Sequence, residues 1–414
     1  MVDNIIIICS GKLVDGNSAG AARVLNYSKA ISSMGRNVYI SSLTNKKILA
    51  KNTHVVQENI FKVTDPISYK SILSKVFLKN NYLITTIYLF RIAKYAKKLA
   101  GNSCFILYPS IDPTMEPLCV LILKKLYKYK IFCEINELRR AGVDRNLLNE
   151  TPIGRLLGNI HNQMKICQYR FNENVIKYFD GLLIISTNLI EYFKRINTNF
   201  IHIPILTDTR SYTPIFNKKY ILGDVFTMAF AGQIGISKEG FNIFYMALGK
   251  LKKSNVAFEL HLFGSYMKNE KKELERIALE NNISSNIIFH GLIDQADVIN
   301  HLSNKHLLLL PRIENLKTKY GFSTKLSEYL ISGTPVLVTD VSDNSLYIQD
   351  KVNGFIIKNT NEHAYFEKLI DIITHYNKYV EEIPINAFNT AKDHFDFTNH
   401  AQSLVNFIDD TSKS

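Results

Sequence analysis

The chain is predicted to fold as an α/β protein made of two doubly wound domains, each a parallel sheet covered by helices. Three observations carry this expectation. Apolar runs of strand length alternate with longer helical patterns. The series of runs occurs twice, split by residues 201 to 224, which carry Pro204 and Pro214 and lack clear periodicity. A chain of 414 residues, 46% apolar and 21% charged, is long enough for two ordinary cores.

Composition narrows the partners. A formal net charge of +13 calls for an anionic partner, which could be nucleic acid, a phosphorylated substrate or an acidic membrane surface. Charge alone does not choose among them. The five cysteines (Cys9, Cys104, Cys119, Cys133, Cys167) form no C-x-x-C pair and are odd in number, which fits a reducing cytoplasm. MVDN passes straight into IIIICS with no basic leader, and no run approaches the length of a membrane span. The expectation is a protein neither secreted nor membrane-spanning.

The first series of strands is IIIICS (5–10), VYISS (38–42), CFILY (104–108), IFCEI (131–135) and LLIIS (182–186). Small residues from Gly16 to Ala22, Gly20 among them, open a helix that ends near Gly35 and allow a ligand to approach the backbone. They do not spell G-x-G-x-x-G, so no dinucleotide cofactor is indicated. Arg23 just inside this helix reads either as a ligand contact or as a helix-surface arginine. Residues 62 to 130 hold twelve Lys or Arg against three Asp or Glu, interleaved with aromatic and aliphatic residues. That pattern suits contact with an anionic membrane, or a solvated basic face over a core stripe. Glu134 and Glu137, at the end of a strand, are candidates for acceptor hydroxyls, with surface salt bridging to Arg139 and Arg140 as the alternative. Ser186 is placed as a helix cap.

The second series is FTMAFAG (226–232), FELHLFG, NIIFHG, HLLLLP, PVLVT and GFII. AFAGQIGISKEGFNIF is a strand, a Gly-rich turn and a helix; it fails the Walker pattern because Gly240 precedes Phe241. Eleven histidines show no metal-ligand spacing and the chain has no D-x-D, so no metal is expected. His290 reads as a satisfied structural histidine. GFSTKLSEYLISGTPVLVT (321–339) reads as a loop, a short helix and a buried strand. Ser323 or Thr324 is expected to cap the helix, and Gly333-Thr334-Pro335 to stop it. Leu326, Tyr329, Leu330 and Gly333 form the packed face. Glu328 lies roughly 200° around from Leu326, at about 100° per residue, and points away. Amides at the start of the helix favour a phosphate. Arg312, Lys317, Lys319 and Lys325 add positive charge, and a bound anion would stabilise Lys325 in the helix's first turn.

These stretches resemble the family four glycosyltransferases, retaining enzymes of the GT-B fold, in which two Rossmann-like domains face a central cleft. The resemblance covers most of the chain and is specific at 226–241 and 320–339. It implies an N-terminal acceptor-side domain, 1–206, with a C-terminal helix, 396–414, packing back on it, and a donor-binding domain, 207–395. Gly20 and Ala21 stand where the family carries paired glycines facing the cleft. Lys238, five residues after Gln233, matches the phosphate-binding turn, where its ammonium would neutralise charge developing on the leaving diphosphate; the family frequently has Arg at the place of Gln233. Glu328 matches the glutamate that bonds the nucleotide ribose. Tyr320 stands where the family has a second glutamate that meets the donor sugar. Gly321, Phe322, Ser323, Thr324 and Lys325 would surround the diphosphate, and Gly264, Leu292 and Ile293 the base.

The resemblance therefore implies transfer of a sugar, hexosyl in type, from a UDP- or GDP-linked donor to a glycan or lipid-linked acceptor in surface-polysaccharide synthesis. No cofactor or metal is implied. The place would be the cytoplasm, with peripheral contact to the inner face of the membrane, and nucleic acid is not a partner. The rivals are a nucleotide-sugar epimerase of the same fold and a non-catalytic GT-B partner that scaffolds a glycan-building complex.

Overall fold

The computed structural model describes residues 1–10, 19–43, 53–63, 82–108, 116–143, 152–214, 216, 218–267, 269–294 and 297–413. Gly16 and residues 64–81 of the basic stretch lie outside the described residues. The chain divides into two compact units, Met1–Pro204 with Phe397–Ser414, and Ile205–Asp396.

The first unit contains β1 (Asn4–Ser10), β2 (Asn37–Leu43), β3 (Thr53–Gln57), β4 (Ile60–Val63), β5 (Ser103–Tyr108), β6 (Lys130–Ile135), β7 (Gly181–Ile184) and β8 (Phe200–His202). They form one sheet in the order β3-β4-β2-β1-β5-β6-β7-β8. Ile5 to Cys9 are all buried, so both faces of β1 are covered, the condition under which parallel sheets occur. β1 pairs in parallel with β2 and β5, placing Ile6 opposite Tyr39 and Phe105.

The sheet departs from the sequence reading at one edge. β3 runs antiparallel to β4, and Glu58 and Asn59 turn the chain between them with Asn59 at φ 57°. THVVQ and IFKV are too short and polar to stand out as runs, and an asparagine tolerates the left-handed backbone such a turn requires. Ser186 occupies the position before the Thr187–Phe193 helix, but its side chain makes no cap bond and its buried Oγ has no partner. The helix Phe397–Lys413 belongs to this unit. It buries Leu404, Val405 and Ile408, and Asp409 accepts from the Val2 amide (2.6 Å) and Arg36 Nη2 (2.9 Å).

The second unit contains β9 (Phe226–Ala231), β10 (Phe258–Phe263), β11 (Ile287–Gly291), β12 (Leu307–Leu310), β13 (Val336–Thr339) and β14 (Phe355–Ile357), matching the six predicted runs. The strands are all parallel, in the order β11-β10-β9-β12-β13-β14. Every residue of β12 and β13 is buried. Phe226, Met228, Phe230, Phe241, Phe244 and Tyr365 form part of a continuous core beneath the Phe241–Lys253 and Glu362–Thr374 helices. The chain leaves β9 towards β10 and β11, then crosses back to β12. The reversal lies between β9 and β12, and the carboxyl ends of strands at such a reversal are where doubly wound sheets bind ligands.

Candidate functional site

At the strand ends around this reversal two glycines are called for, one by close backbone approach and both by a positive φ. Gly264 (φ +136°) follows β10, and a Cβ there would lie 1.8 Å from the carbonyl oxygen of Gly232. Gly232 (φ +144°) follows β9, and a Cβ there would lie 2.2 Å from Lys325 Cε. The Gly232 amide donates to Phe263 O (2.7 Å) and the Gly264 amide to Gly291 O (2.6 Å), tying the ends of β9, β10 and β11 together.

The turn after β9 exposes Gln233 and holds its shape through Glu270. The amides of Ile236 and Ser237 donate to the two Glu270 carboxylate oxygens, at 2.7 and 2.9 Å. Those two amides are therefore occupied. Lys238 is half-buried there. The turn is joined to the segment after β12 by Asn315, whose Nδ2 donates to Ser237 O (2.9 Å) while its Oδ1 caps the short helix Leu316–Lys319.

Glu239, beside Lys238, is 2% exposed and sits between two cations. Lys325 Nζ lies 2.8 Å from its Oε1, and Arg312 Nε lies 3.9 Å from its Oε2. Arg312 is also buried, and both Glu239 Oε2 and Arg312 Nε lack a hydrogen-bond partner. Burial pushes the Glu239 carboxyl up, but Lys325, Arg312 and then Lys238 together hold it below the usual carboxylate range. Lys325 thus has a protein counter-charge, which the sequence reading had left to a bound anion. Sequence reasoning missed Glu239. The available signal was an acidic residue set in a turn between a lysine and a glycine, adjoining an apolar helix.

The helix of the 321–339 stretch spans Lys325–Ile331. Leu326, Tyr329 and Leu330 are fully buried, Gly333 takes φ +72° at the stop, and Glu328 is half-buried on the other side, as the spacing predicts. Tyr329 OH accepts from the Ala231 amide (2.9 Å), fixing the helix to the end of β9. The capping expectation fails. Thr324 precedes the helix in a helical conformation with no side-chain cap bond, and Ser323 Oγ is buried without a partner. The chain is already helical at Thr324, so that hydroxyl lacks the extended backbone a cap uses. Among the described residues, the amides of Phe322, Ser323 and Thr324 donate no hydrogen bond. Phe322 anchors this loop through ring contacts with Tyr347 (5.4 Å) and Phe395 (6.2 Å).

Tyr320 is half-buried and ends the Leu316–Lys319 helix, and Gly321 is buried after it. Burial raises the Tyr212 phenol pKa, with Glu328 adding to the shift, so that tyrosine stands near the Glu328 carboxylate. Leu292 is 82% exposed just beyond β11, with Ile293 half-buried after it. His290 stacks on Phe263 (4.4 Å) and hydrogen-bonds His261 (2.9 Å), the structural role expected for it.

In the first unit, Gly20 lies in the helix Ala19–Ser32, and Arg23 is buried rather than on the helix surface. Arg23 Nε pairs with Glu134 Oε1 at 2.6 Å and Nη2 donates to Tyr27 OH at 3.0 Å. Burial raises the Glu134 carboxyl pKa, and Arg23 opposes that shift only in part. The surface salt bridge considered for Glu134 is therefore a buried ion pair. Glu137 pairs with Arg139 nearby, while Arg140 pairs with Glu173 at 3.0 Å.

Residues 213–387 match the sequence profile described as glycosyl transferases group 1. The second unit carries a group 1 glycosyl transferase domain. Solved structures extend the likeness over both units. A sucrose-phosphate synthase from Thermosynechococcus elongatus superposes with TM-score 0.70 at 13% identity, covering 99% of this chain and 98% of that one. A glycosyltransferase from Rickettsia africae gives 0.67 at 13% identity, covering 100% and 99%. Anabaena HepE in complex with UDP-glucose gives 0.67 at 12%, covering 98% and 99%. The fold is GT-B. No curated protein matches the chain at a significant level. The group 1 domain contains the Lys238 turn, Glu239, Arg312 and the 320–339 stretch, so the cationic cluster and the resembling motifs fall within it.

Proposed function

We propose that the chain is a glycosyltransferase that moves a sugar, hexosyl in type, from a UDP- or GDP-linked donor to a carbohydrate or lipid-linked acceptor, with retention of configuration and without a metal. The observation that carries this reading is the gathering of three cations at the β9/β12 reversal of a group 1 domain, where Lys325, Arg312 and Lys238 all act on the buried Glu239. Such a site meets the charge of a leaving diphosphate, and charge development is what an enzyme must stabilise. Lys238 holds the diphosphate with the Phe322–Thr324 amides and Lys325, and Glu328 bonds the ribose. Gly264, Leu292 and Ile293 border the base, and Gln233, Tyr320 and Gly321 line the donor. Gly20, Arg23, Glu134 and Glu137 stand on the acceptor side, where buried Arg23 and Glu134 act by shaping the strand ends. The HepE structure holds UDP-glucose, which supports a nucleotide-sugar donor for this chain as well.

The test is incubation with a panel of nucleotide sugars without acceptor. Slow hydrolysis of one donor is expected, and Glu328→Ala should lose it while remaining folded. Failure of every donor to bind sinks the reading, and interconversion of two donor sugars would favour an epimerase. Binding without any turnover, with or without glycan acceptors, would favour a scaffold.

The protein acts, in this proposal, in the cytoplasm at the inner membrane face. All five cysteines are free, which suits a reducing compartment. Among the described residues no helix is long and apolar enough to cross a membrane. A surface bearing Lys124, Lys125, Lys128 and Lys130 also presents Leu126, 59% exposed, and Tyr178, 57% exposed, a combination suited to anionic headgroups. Sedimentation with vesicles containing phosphatidylglycerol at low salt should carry the protein down. Protein left in the supernatant would remove the membrane contact.

A further inference from the structure

Resting on the donor reading, we infer that Glu239 is a positioning residue for the diphosphate seat, and that Lys325, held by it, supplies the positive charge absent at Gln233. The side chain of Lys325 leaves the start of its helix and crosses Gly232, the neighbour of Gln233 in the chain, where a Cβ would lie 2.2 Å from Lys325 Cε; the φ of +144° is what calls for glycine there. Its ammonium then rests 4.8 Å from the Phe230 ring centroid and 2.8 Å from Glu239 Oε1. A cation is thus delivered next to the neutral Gln233 from a residue distant in sequence.

Glu239 makes this arrangement possible. Lys325 and Arg312 both approach it, and Arg312 is 3% exposed, so without a shared carboxylate two cations would face each other in a site poor in water. One carboxylate balances one of them, which leaves an excess of positive charge before Lys238 is counted. The Arg312 Nε donor and the Glu239 Oε2 acceptor, 3.9 Å apart, are buried and unmatched. Unmatched buried groups are costly and rare, and they gather where a ligand completes the bonding. An anion would accept from the Arg312 Nε donor; the Glu239 Oε2 acceptor gains no bond from it. With the turn amides of Ile236 and Ser237 occupied by Glu270, Lys325, its side chain 16% exposed, is the member of this cluster that a phosphate oxygen can reach.

The test is calorimetric titration of the full chain with UDP, GDP, ADP and inorganic pyrophosphate, alongside uridine and guanosine, which lack phosphate. Glu239→Gln removes a negative charge from the seat and releases Lys325. It is expected to tighten whichever diphosphates bind the wild type by about tenfold, with a steeper salt dependence, while donor turnover falls. A carboxylate with a purely structural role gives the opposite: binding unchanged or weaker with turnover. Lys325→Gln leaves Glu239 paired with Arg312 alone and offers an independent measure should Glu239→Gln fail to fold. It should weaken diphosphate binding about tenfold, and Gln233→Arg added to it should restore most of the loss. Unaltered binding in Lys325→Gln, or no recovery in the double variant, overturns the inference. Absence of diphosphate binding by the wild type instead overturns the donor reading on which it rests.

Discussion

Lys238→Ala is expected to lower donor turnover by about 10²–10³-fold, equivalent to about 2.7–4 kcal/mol of transition-state stabilisation, with little change in KM. Bond cleavage between sugar and diphosphate leaves the phosphate more negative than in the bound donor, and a cation fixed beside it acts mainly on that extra charge. In the proposed reading Lys238 has this role; it is half-buried in the turn after β9, in the same field of charge as Glu239. Glu270 and Asn315 hold the backbone of the turn on either side of it. The variant should therefore keep the wild-type melting temperature, and Lys238→Arg should retain part of the rate. Equal turnover in Lys238→Ala would make it an ordinary loop lysine.

Arg23→Met is expected to destabilise the first unit by about 3–5 kcal/mol, because it strands the buried Glu134 carboxylate. Arg23 is 3% and Glu134 1% exposed, and Glu134 Oε2 already lacks a hydrogen-bond partner. For a domain of this size the loss corresponds to a fall in Tm of roughly 10 °C. The dependence on pH has a definite sign. Burial raises the folded-state pKa of Glu134 above the ordinary carboxylate range, so as pH falls the folded chain takes up a proton there before the unfolded chain does. Removing Arg23 takes away the main opposing influence, so the destabilisation should be greatest near neutral pH and shrink as pH falls through the raised folded-state value. Thermal unfolding between pH 5 and pH 8 checks this, at about one-unit steps. Arg23→Met combined with Glu134→Leu should recover most of the stability, since well-packed apolar residues often replace a buried ion pair at little cost. Stability unchanged in Arg23→Met at neutral pH would show that the pair is not a net support of the unit.

Much of the second unit was legible in the chain itself. Its six strands are apolar runs bounded by glycine or proline, and a fully buried parallel strand leaves that record because both its faces must exclude water. The helical spacing of Leu326, Tyr329 and Leu330 likewise predicted their burial and the outward place of Glu328. The first unit was read less completely. The β3–β4 hairpin depends on one positive-φ asparagine and on short, weakly apolar strands, and the short strand β8 was also missed. The helix caps placed at Ser186, Ser323 and Thr324 failed because residue type sets only the capacity to cap: Thr324 enters its helix already helical, and Ser186, although its backbone is extended, makes no side-chain bond to an amide.

The sequence by itself determined the fold class, the two series of strands and the stretches at Lys238 and Gly321–Thr339 where a phosphate seat is proposed. These follow from burial periodicity and local backbone chemistry, both of which are written over a few neighbouring residues. Only the tertiary structure decided which charges meet. Arg23 finds Glu134 across 111 positions and Lys325 finds Glu239 across 86, because parallel strand ends bring distant segments to one edge of a sheet. Such pairs leave no local pattern. Their stability comes from burial and mutual compensation, which exist only once the sheet has formed.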